Sequence, residues 1–204
     1  MTVPFVNIHT HRPTGCGIEL RTAGIHPWDA GQRPLDEALA CLEAELAQGG
    51  VQAVGEIGLD FVRAGSQRLR DTQTALFRAQ LIVACERRLP VVLHCVRAFE
   101  ETMRMLREQE PQAVIFHGFI GSPEQARRAI ERGYHLSFGD RTFRSPRTVE
   151  ALKATPLSQL FLETDESETP IKTIYTHTAK ILAIDIGCLK QATLENYERI
   201  FIHE

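Results

Sequence analysis

Four histidines and two carboxylates in this 204-residue chain share one kind of position, the polar end of a short apolar run. Val6-Asn7-Ile8 leads into His9 and His11, Ala53-Val54-Gly55 into Glu56, and Val91-Val92-Leu93 into His94. Val114-Ile115-Phe116 leads into His117, and the run from Leu160 into Asp165. Residues i and i+2 of a strand face the same side, so His9 and His11 can grip one cation together. A carboxylate at Glu56 can bridge two divalent ions roughly 3.5–4 Å apart, the spacing of two-metal hydrolysis. An aspartate at 165 can be both ligand and general base toward a water molecule. Taken singly, each position has a plainer reading, such as a structural histidine or a glutamate paired with an arginine. Ionisable groups are costly at the ends of buried runs, and six repeats of that cost point to a metal-dependent hydrolase.

The elements that must hold these residues alternate. Strand patterns fall at residues 5–9, 20–26, 53–59, 90–96, 113–119, 134–138 and 160–164, and most are separated by a helical pattern. Helices are expected over 34–48 and 66–88, along the stripe Phe99, Thr102, Met103 and Leu106, and after Ser122-Pro123-Glu124-Gln125, a capping-box sequence. Ser145-Pro146 and Thr169-Pro170 open two more, and 191–202 forms a last one. Continuous apolar strands alternating with helices imply a parallel α/β sheet with right-handed crossovers. Ligands from the first strand, the last and several between can converge if that sheet closes. A TIM-like (β/α) barrel, with chemistry at its C-terminal strand ends, is therefore favoured over an open doubly wound sheet. No linker, repeat or low-complexity segment breaks the chain, so residues 1–204 read as a single domain.

Composition narrows the setting. No apolar run reaches membrane-spanning length, and the N-terminus lacks the form of a secretory signal. Five cysteines without a CxxC pair fit a reducing, cytoplasmic location. A formal net charge of -3 excludes a global basic footprint. Any polyanion must then be held by metal ions and a few local arginines. No obligate protein partner is evident, and a monomer is expected.

In order, NIHTH, GIHPW, GEIGLDF, PVVLHCVRA, FHGFIGS, YHLSFG and LFLETDE, followed by NYERIF near the C-terminus, resemble the TatD family of metal-dependent hydrolases over almost the whole chain. The resemblance implies a distorted TIM-like barrel and a metal-dependent phosphodiesterase, or deoxyribonuclease, acting on DNA or a short oligonucleotide. Carried over residue by residue, His9, His11, Glu56 and Asp165 hold one divalent ion. Glu56, His94 and His117 hold the second, Glu56 is the bridge, and Asp165 orients or deprotonates the attacking water. Histidine-rich ligation favours Zn, Mn, Fe or Ni in the isolated protein, with Mg a candidate in cells.

The family pattern is also departed from. Only residues 12–25 separate His11 from His26, too few for a helix and an additional strand, so a seven-stranded barrel lacking one βα unit after the first strand is expected. Val96, followed by Arg97, stands where the family carries a basic residue two places after the histidine. An acidic stretch, Glu166-Ser167-Glu168, follows Asp165. Candidate substrate contacts are His26 and Trp28, the indole offering a stacking face, with Arg63, Arg97, Arg141 and Arg144. His135, His177 and His203 read as structural or exposed, and Cys95 as a core residue facing away from His94. Two other readings stand beside the phosphodiesterase: a hydrolase of a phosphomonoester, ester or amide, as in the PHP family, and a weakly catalytic metal-binding scaffold.

Overall fold

The structure is a computed structural model that describes residues 2–202. Among these, the order is β1 (Val6–Asn7), β2 (Ile18–Glu19), β3 (Thr22–Ala23), α1 (Leu35–Ala47), β4 (Ala53–Asp60), α2 (Gln67–Arg87), β5 (Val91–Val96) and α3 (Phe99–Gln109). Then follow β6 (Val114–Phe116), α4 (Pro123–Ile130), β7 (His135–Phe138), α5 (Pro146–Ala154), β8 (Leu160–Leu162), α6 (Ile171–Leu182) and α7 (Ile186–Phe201). Helix ends follow side-chain chemistry. Ser66 Oγ accepts from Leu69 N–H at the start of α2, and Ser122 with Gln125 completes the expected capping box of α4. No helix among the described residues is long and apolar enough to cross a membrane.

The chain forms two compact units, Arg21–Ile115 and the combination of Met1–Leu20 with Phe116–Glu204. In the Arg21–Ile115 unit, β3, β4 and β5 pair in parallel, and Val91 N–H donates to Ala113 C=O beside them. All eight residues of β4 are buried, the pattern of a strand covered on both faces. The β4–β5 register shifts between Val54 and Ile57. Such an irregularity re-aims a side chain, and here it falls on Glu56. A Cβ on Gly55 would lie 2.7 Å from Val92 Cβ, so only glycine lets the strands close beside the glutamate. Gly58 has φ +138°, and a Cβ there would meet the His94 carbonyl oxygen at 2.1 Å.

In the other unit β1 pairs in parallel with β2, and β7 with β8. The first strand also continues alongside the last. Ile8 N–H donates to Leu162 C=O, His11 N–H to Asp165 C=O, and Asp165 N–H to His9 C=O. Pairing of first and last strands is what a closed sheet requires and an open doubly wound sheet lacks. β1 is fixed from outside by Tyr175 of α6, whose hydroxyl accepts from Val6 N–H at 3.1 Å and donates to Val6 C=O at 2.9 Å.

The strand expected over residues 20–26 is corrected. Two short strands, Ile18–Glu19 and Thr22–Ala23, replace it, so eight strands stand among the described residues where seven were expected. Extended pairing begins two residues earlier because Ile18 N–H already reaches Phe5 C=O. It ends at Ala23 because His26 is recruited as the cap of a 3-10 turn at Pro27–Asp29. No helix lies between β1 and β2. The loop joining them wraps the Glu19 carboxylate, which accepts from Thr14 N–H, Gly15 N–H and Thr14 Oγ–H. The last helix begins at Ile186 rather than residue 191, because Asp185 caps Gly187 N–H.

Candidate metal centre

The unit containing β1 brings His9, His11, His117 and Asp165 together at its strand ends. His9, His117 and Asp165 each offer a ligand atom within 4.8 Å of the other two. His11 Nε2 lies 3.6 Å and His9 Nε2 3.9 Å from Asp165 Oδ1, and the His9 and His117 ring centroids are 4.3 Å apart. The backbone fixes this group. Thr10 and Asp165 form a parallel bridge, Asn7 Oδ1 accepts from Thr164 N–H, and Thr164 Oγ1 donates to Thr10 Oγ1. Asp165 itself is left-handed, with φ +53°, which turns its carboxylate out of the strand line.

Directly beneath lies Glu163, fully buried, with Oε1 3.2 Å from His117 Nδ1. Burial raises its pKa, but the neighbouring His117 and His9 imidazoles outweigh that and hold it below the usual carboxylate value. With Nδ1 facing Glu163, Nε2 is the His117 atom that would act as a ligand.

The Arg21–Ile115 unit carries a second set at the ends of adjacent strands. Glu56 Oε1 lies 2.6 Å from His94 Nδ1 and 3.4 Å from His26 Nε2. His26 belongs here by position only. Its Nδ1 accepts from Trp28 N–H at 3.1 Å, so in the neutral ring Nε2 carries the proton and donates. In this arrangement His26 is a hydrogen-bond donor, while Glu56 and His94 are the ligand candidates. Asp60 supports the set. Its Oδ2 accepts from Trp28 Nε1–H at 2.8 Å and lies 3.4 Å from His94 Nε2, and its Oδ1 accepts from Val62 and Arg63 N–H. Burial pushes the Asp60 pKa up, yet these donors more than offset it and leave it lowered.

Ligand atoms bonded at about 2.1 Å to one ion lie no more than about 4.2 Å apart. The His9–His117–Asp165 group spans 4.8 Å or less, so small side-chain shifts fit it to a divalent cation. Its imidazole-rich donors suit a borderline transition metal better than magnesium.

The substrate candidates separate. Trp28 is a held platform, its nitrogen on Asp60 and the Arg63 guanidinium 4.3 Å over its ring. Arg97 is exposed on left-handed backbone after β5. Arg141 and Arg144 line a pocket of about 260 Å³ that also reaches Asp140, Glu163, Asp165 and Glu166, and Arg144 donates to Asp140 at 2.6 Å. Cys95 faces Thr102 of α3, and burial pushes its thiol up to about 11. His135 is buried, with Arg199 Nη2 3.3 Å from its Nε2, and His177 meets the Phe143 ring. His203 lies outside the described residues. Glu163 and Asp60 are functional candidates that motif reading passed over. The signal was a charge directly after the apolar strand β8 for Glu163, and a second carboxylate closing the buried strand β4 for Asp60.

The chain is similar in sequence and fold to known proteins. An uncharacterized metal-dependent hydrolase of Bacillus subtilis, YabD, is 31% identical over 195 residues, covering 87% of this chain and 75% of YabD. The 3'-5' ssDNA/RNA exonuclease TatD of Cronobacter sakazakii is 37% identical over 150 residues, covering 71% of this chain and 56% of the exonuclease. The chain thus spans little more than half the length of some relatives. The crystal structure of YjjV, a TatD homologue from Escherichia coli, matches with a TM-score of 0.81 and 26% identity, covering 91% of this chain and 78% of that one. The family model for TatD-related DNases matches residues 19–202, and the chain belongs to that family.

Proposed function

We propose that this chain is a divalent-metal-dependent phosphodiesterase that hydrolyses DNA or short oligonucleotides in a reducing cytoplasm. The observation carrying the proposal is the convergence of His9, His117 and Asp165, with His11 beside them, at the ends of strands tied together by backbone hydrogen bonds. Two ions are proposed. One would be held by His9, His11, His117 and Asp165, the other by Glu56 and His94. Bound divalent ions would supply Lewis-acid stabilisation of phosphoryl oxygens and acidify water at neutral pH.

The chain's own residues supply the rest. Asp165 Oδ1, close to two imidazoles and turned outward by its left-handed backbone, is placed to accept the proton of an attacking water. His26, locked by Trp28 N–H into the tautomer with a proton on Nε2, is a fixed donor toward an anionic oxygen. Trp28, clamped between Asp60 and Arg63, offers a rigid aromatic edge for a base.

Elemental analysis of purified protein and cleavage of a labelled single-stranded oligonucleotide test the proposal together. Metal-saturated wild type should cleave, and Asp165→Asn should not. Equal cleavage by both, or no bound metal at saturation, would overturn it. One observation favours a second reading, a small phosphate ester as substrate. The pocket above Asp165 carries four carboxylates against two guanidinium groups, a poor environment for a long polyanion. A panel of chromogenic phosphomonoesters on the same preparation separates the two readings.

A further inference from the structure

We propose that Glu163 is the positioning residue of His117. Its carboxylate holds the Nδ1–H of that imidazole, so that Nε2 keeps its lone pair for a divalent cation. The inference deepens the metal-dependent reading and rests on it.

Three observations carry it. First, the group sits where a charge is expensive. Glu163 is fully buried directly after the all-buried strand β8, and desolvating a carboxylate costs several kcal/mol. Second, the partner is specific. Oε1 meets His117 Nδ1 at 3.2 Å, and no lysine or arginine is paired with Glu163 among the described residues. Besides His117, the groups facing the carboxylate are His9 and the Ser137 hydroxyl. Third, the surroundings leave room for a carboxylate and little else. Gly118, immediately after His117, has φ +50°, and a Cβ there would stand 3.2 Å from Glu163 Oε1. A Cβ on Gly139 would stand 3.2 Å from the Glu163 carbonyl oxygen and 3.4 Å from its Cγ. Two glycines from separate segments thus flank one buried acid.

A purely structural role does not account for this. An apolar side chain would fill the same space without desolvating a charge, and replacing buried ionic groups in that way is often neutral or stabilising. A carboxylate on the far nitrogen of a ligand histidine fixes the tautomer, aims the ring and raises ligand basicity. Thr164 gives the ensuing chain its own anchors on Asn7 and Thr10, so Glu163 is not needed to hold Asp165 in place.

The test uses the full chain, with zinc as the probe, and compares wild type with Glu163→Gln. Metal-free Glu163→Gln should melt at or above the wild-type temperature, yet bind zinc about 10- to 100-fold more weakly by calorimetry. Long-range ¹H–¹⁵N correlation on metal-free wild type should show His117 protonated at Nδ1. Zinc affinity within threefold of wild type in the variant, or an Nε2-protonated His117 in the wild-type chain, overturns the proposal. Wild type that binds no zinc sinks the metal reading instead. In that case, or if the variant does not fold, the His117 tautomer still decides whether Glu163 holds the ring.

Discussion

Tyr175→Phe removes one oxygen atom, and its consequences can be worked out from the structure. Val6 is fully buried in the strand that leads to His9 and His11, and its own N–H and C=O point away from the β2 partner toward α6. Tyr175 Oη meets both groups, at 3.1 and 2.9 Å, and also lies 2.8 Å from Thr193 Oγ1. Burial pushes the phenol up to about 12, so it is a neutral donor at any working pH. Phenylalanine keeps the edge contact with Phe5, centroids 5.0 Å apart, and deletes only the hydrogen bonds. A buried backbone group left unsatisfied costs about 1–3 kcal/mol. Two such groups put the loss near 4 kcal/mol, or about 8–16 °C in melting temperature for a chain of this size. Thr193→Val, which leaves both Val6 bonds in place, should cost about 1 kcal/mol. Thermal unfolding of metal-free protein measures both. A Tyr175→Phe drop under 2 °C, or equal drops for the two variants, would refute the account of how β1 is held.

Asp165→Asn should lower phosphodiester cleavage at least 100-fold, about 2.7 kcal/mol in the barrier, with little loss of stability. Asparagine tolerates the left-handed backbone at φ +53°, so a large drop in melting temperature would move the explanation from chemistry to folding. Gly58→Ala should fail to accumulate as folded protein, since its Cβ would meet the His94 carbonyl oxygen; a soluble variant with wild-type melting contradicts the β4–β5 packing. Zinc at 100 times its dissociation constant should stabilise the protein by about 2.7 kcal/mol, and a melting temperature indifferent to zinc contradicts a site formed only in the folded chain. Burial raises the Glu19 pKa, but bonds from Thr14 and Gly15 outweigh it and leave the folded value below 4.5. A lowered folded pKa contributes stability above the unfolded value, and that contribution is lost as pH falls through the folded one. Amide protection at Thr14 and Gly15 should therefore hold above the ordinary carboxylate range and fade as pH falls below it, and Glu19→Gln should lack this dependence.

The candidate ligands were legible because polarity at the end of an apolar run is a local signal. His9, Glu56, His94, His117 and Asp165 each interrupt a strand pattern, and periodicity alone shows where. Family resemblance added roles and a grouping, in which His9, His11 and Asp165 stand together as they do in the structure. His117 was expected with Glu56 and His94; its ring lies against His9, and it shares a candidate group with His9 and Asp165. Glu163 escaped notice because a charge beside LFL reads as the strand's polar end. Its meaning comes from Gly118 and Gly139, distant in sequence, and only the folded chain brings both against it. His26 was legible as a cleft residue, but its donor role depends on the Trp28 N–H, a backbone detail that no side-chain pattern encodes. The short strands at residues 18–23 were misplaced because two-residue pairings lie below the resolution of any alternation rule.

The shortened connection after β1 now has a physical account. A parallel pair usually needs a dozen or more residues and a helix to cross from one strand to the next. Here residues 8–17 make the crossing with no helix, and the strand is secured in two ways. The Glu19 carboxylate gathers the loop through Thr14 and Gly15, supplying from one side chain the acceptors that a regular element would have provided. On the other side, Tyr175 of α6 caps the N–H and C=O of Val6 while Lys190 of α7 lies 4.3 Å over the Phe5 ring, so helices late in the chain cover this strand. The strand that leads to His9 and His11 is thus held without a helix in this crossing. Their positions are set by hydrogen bonds to β8 and Asp165 on one side and by Tyr175 on the other, and both anchors are independent of the crossing loop.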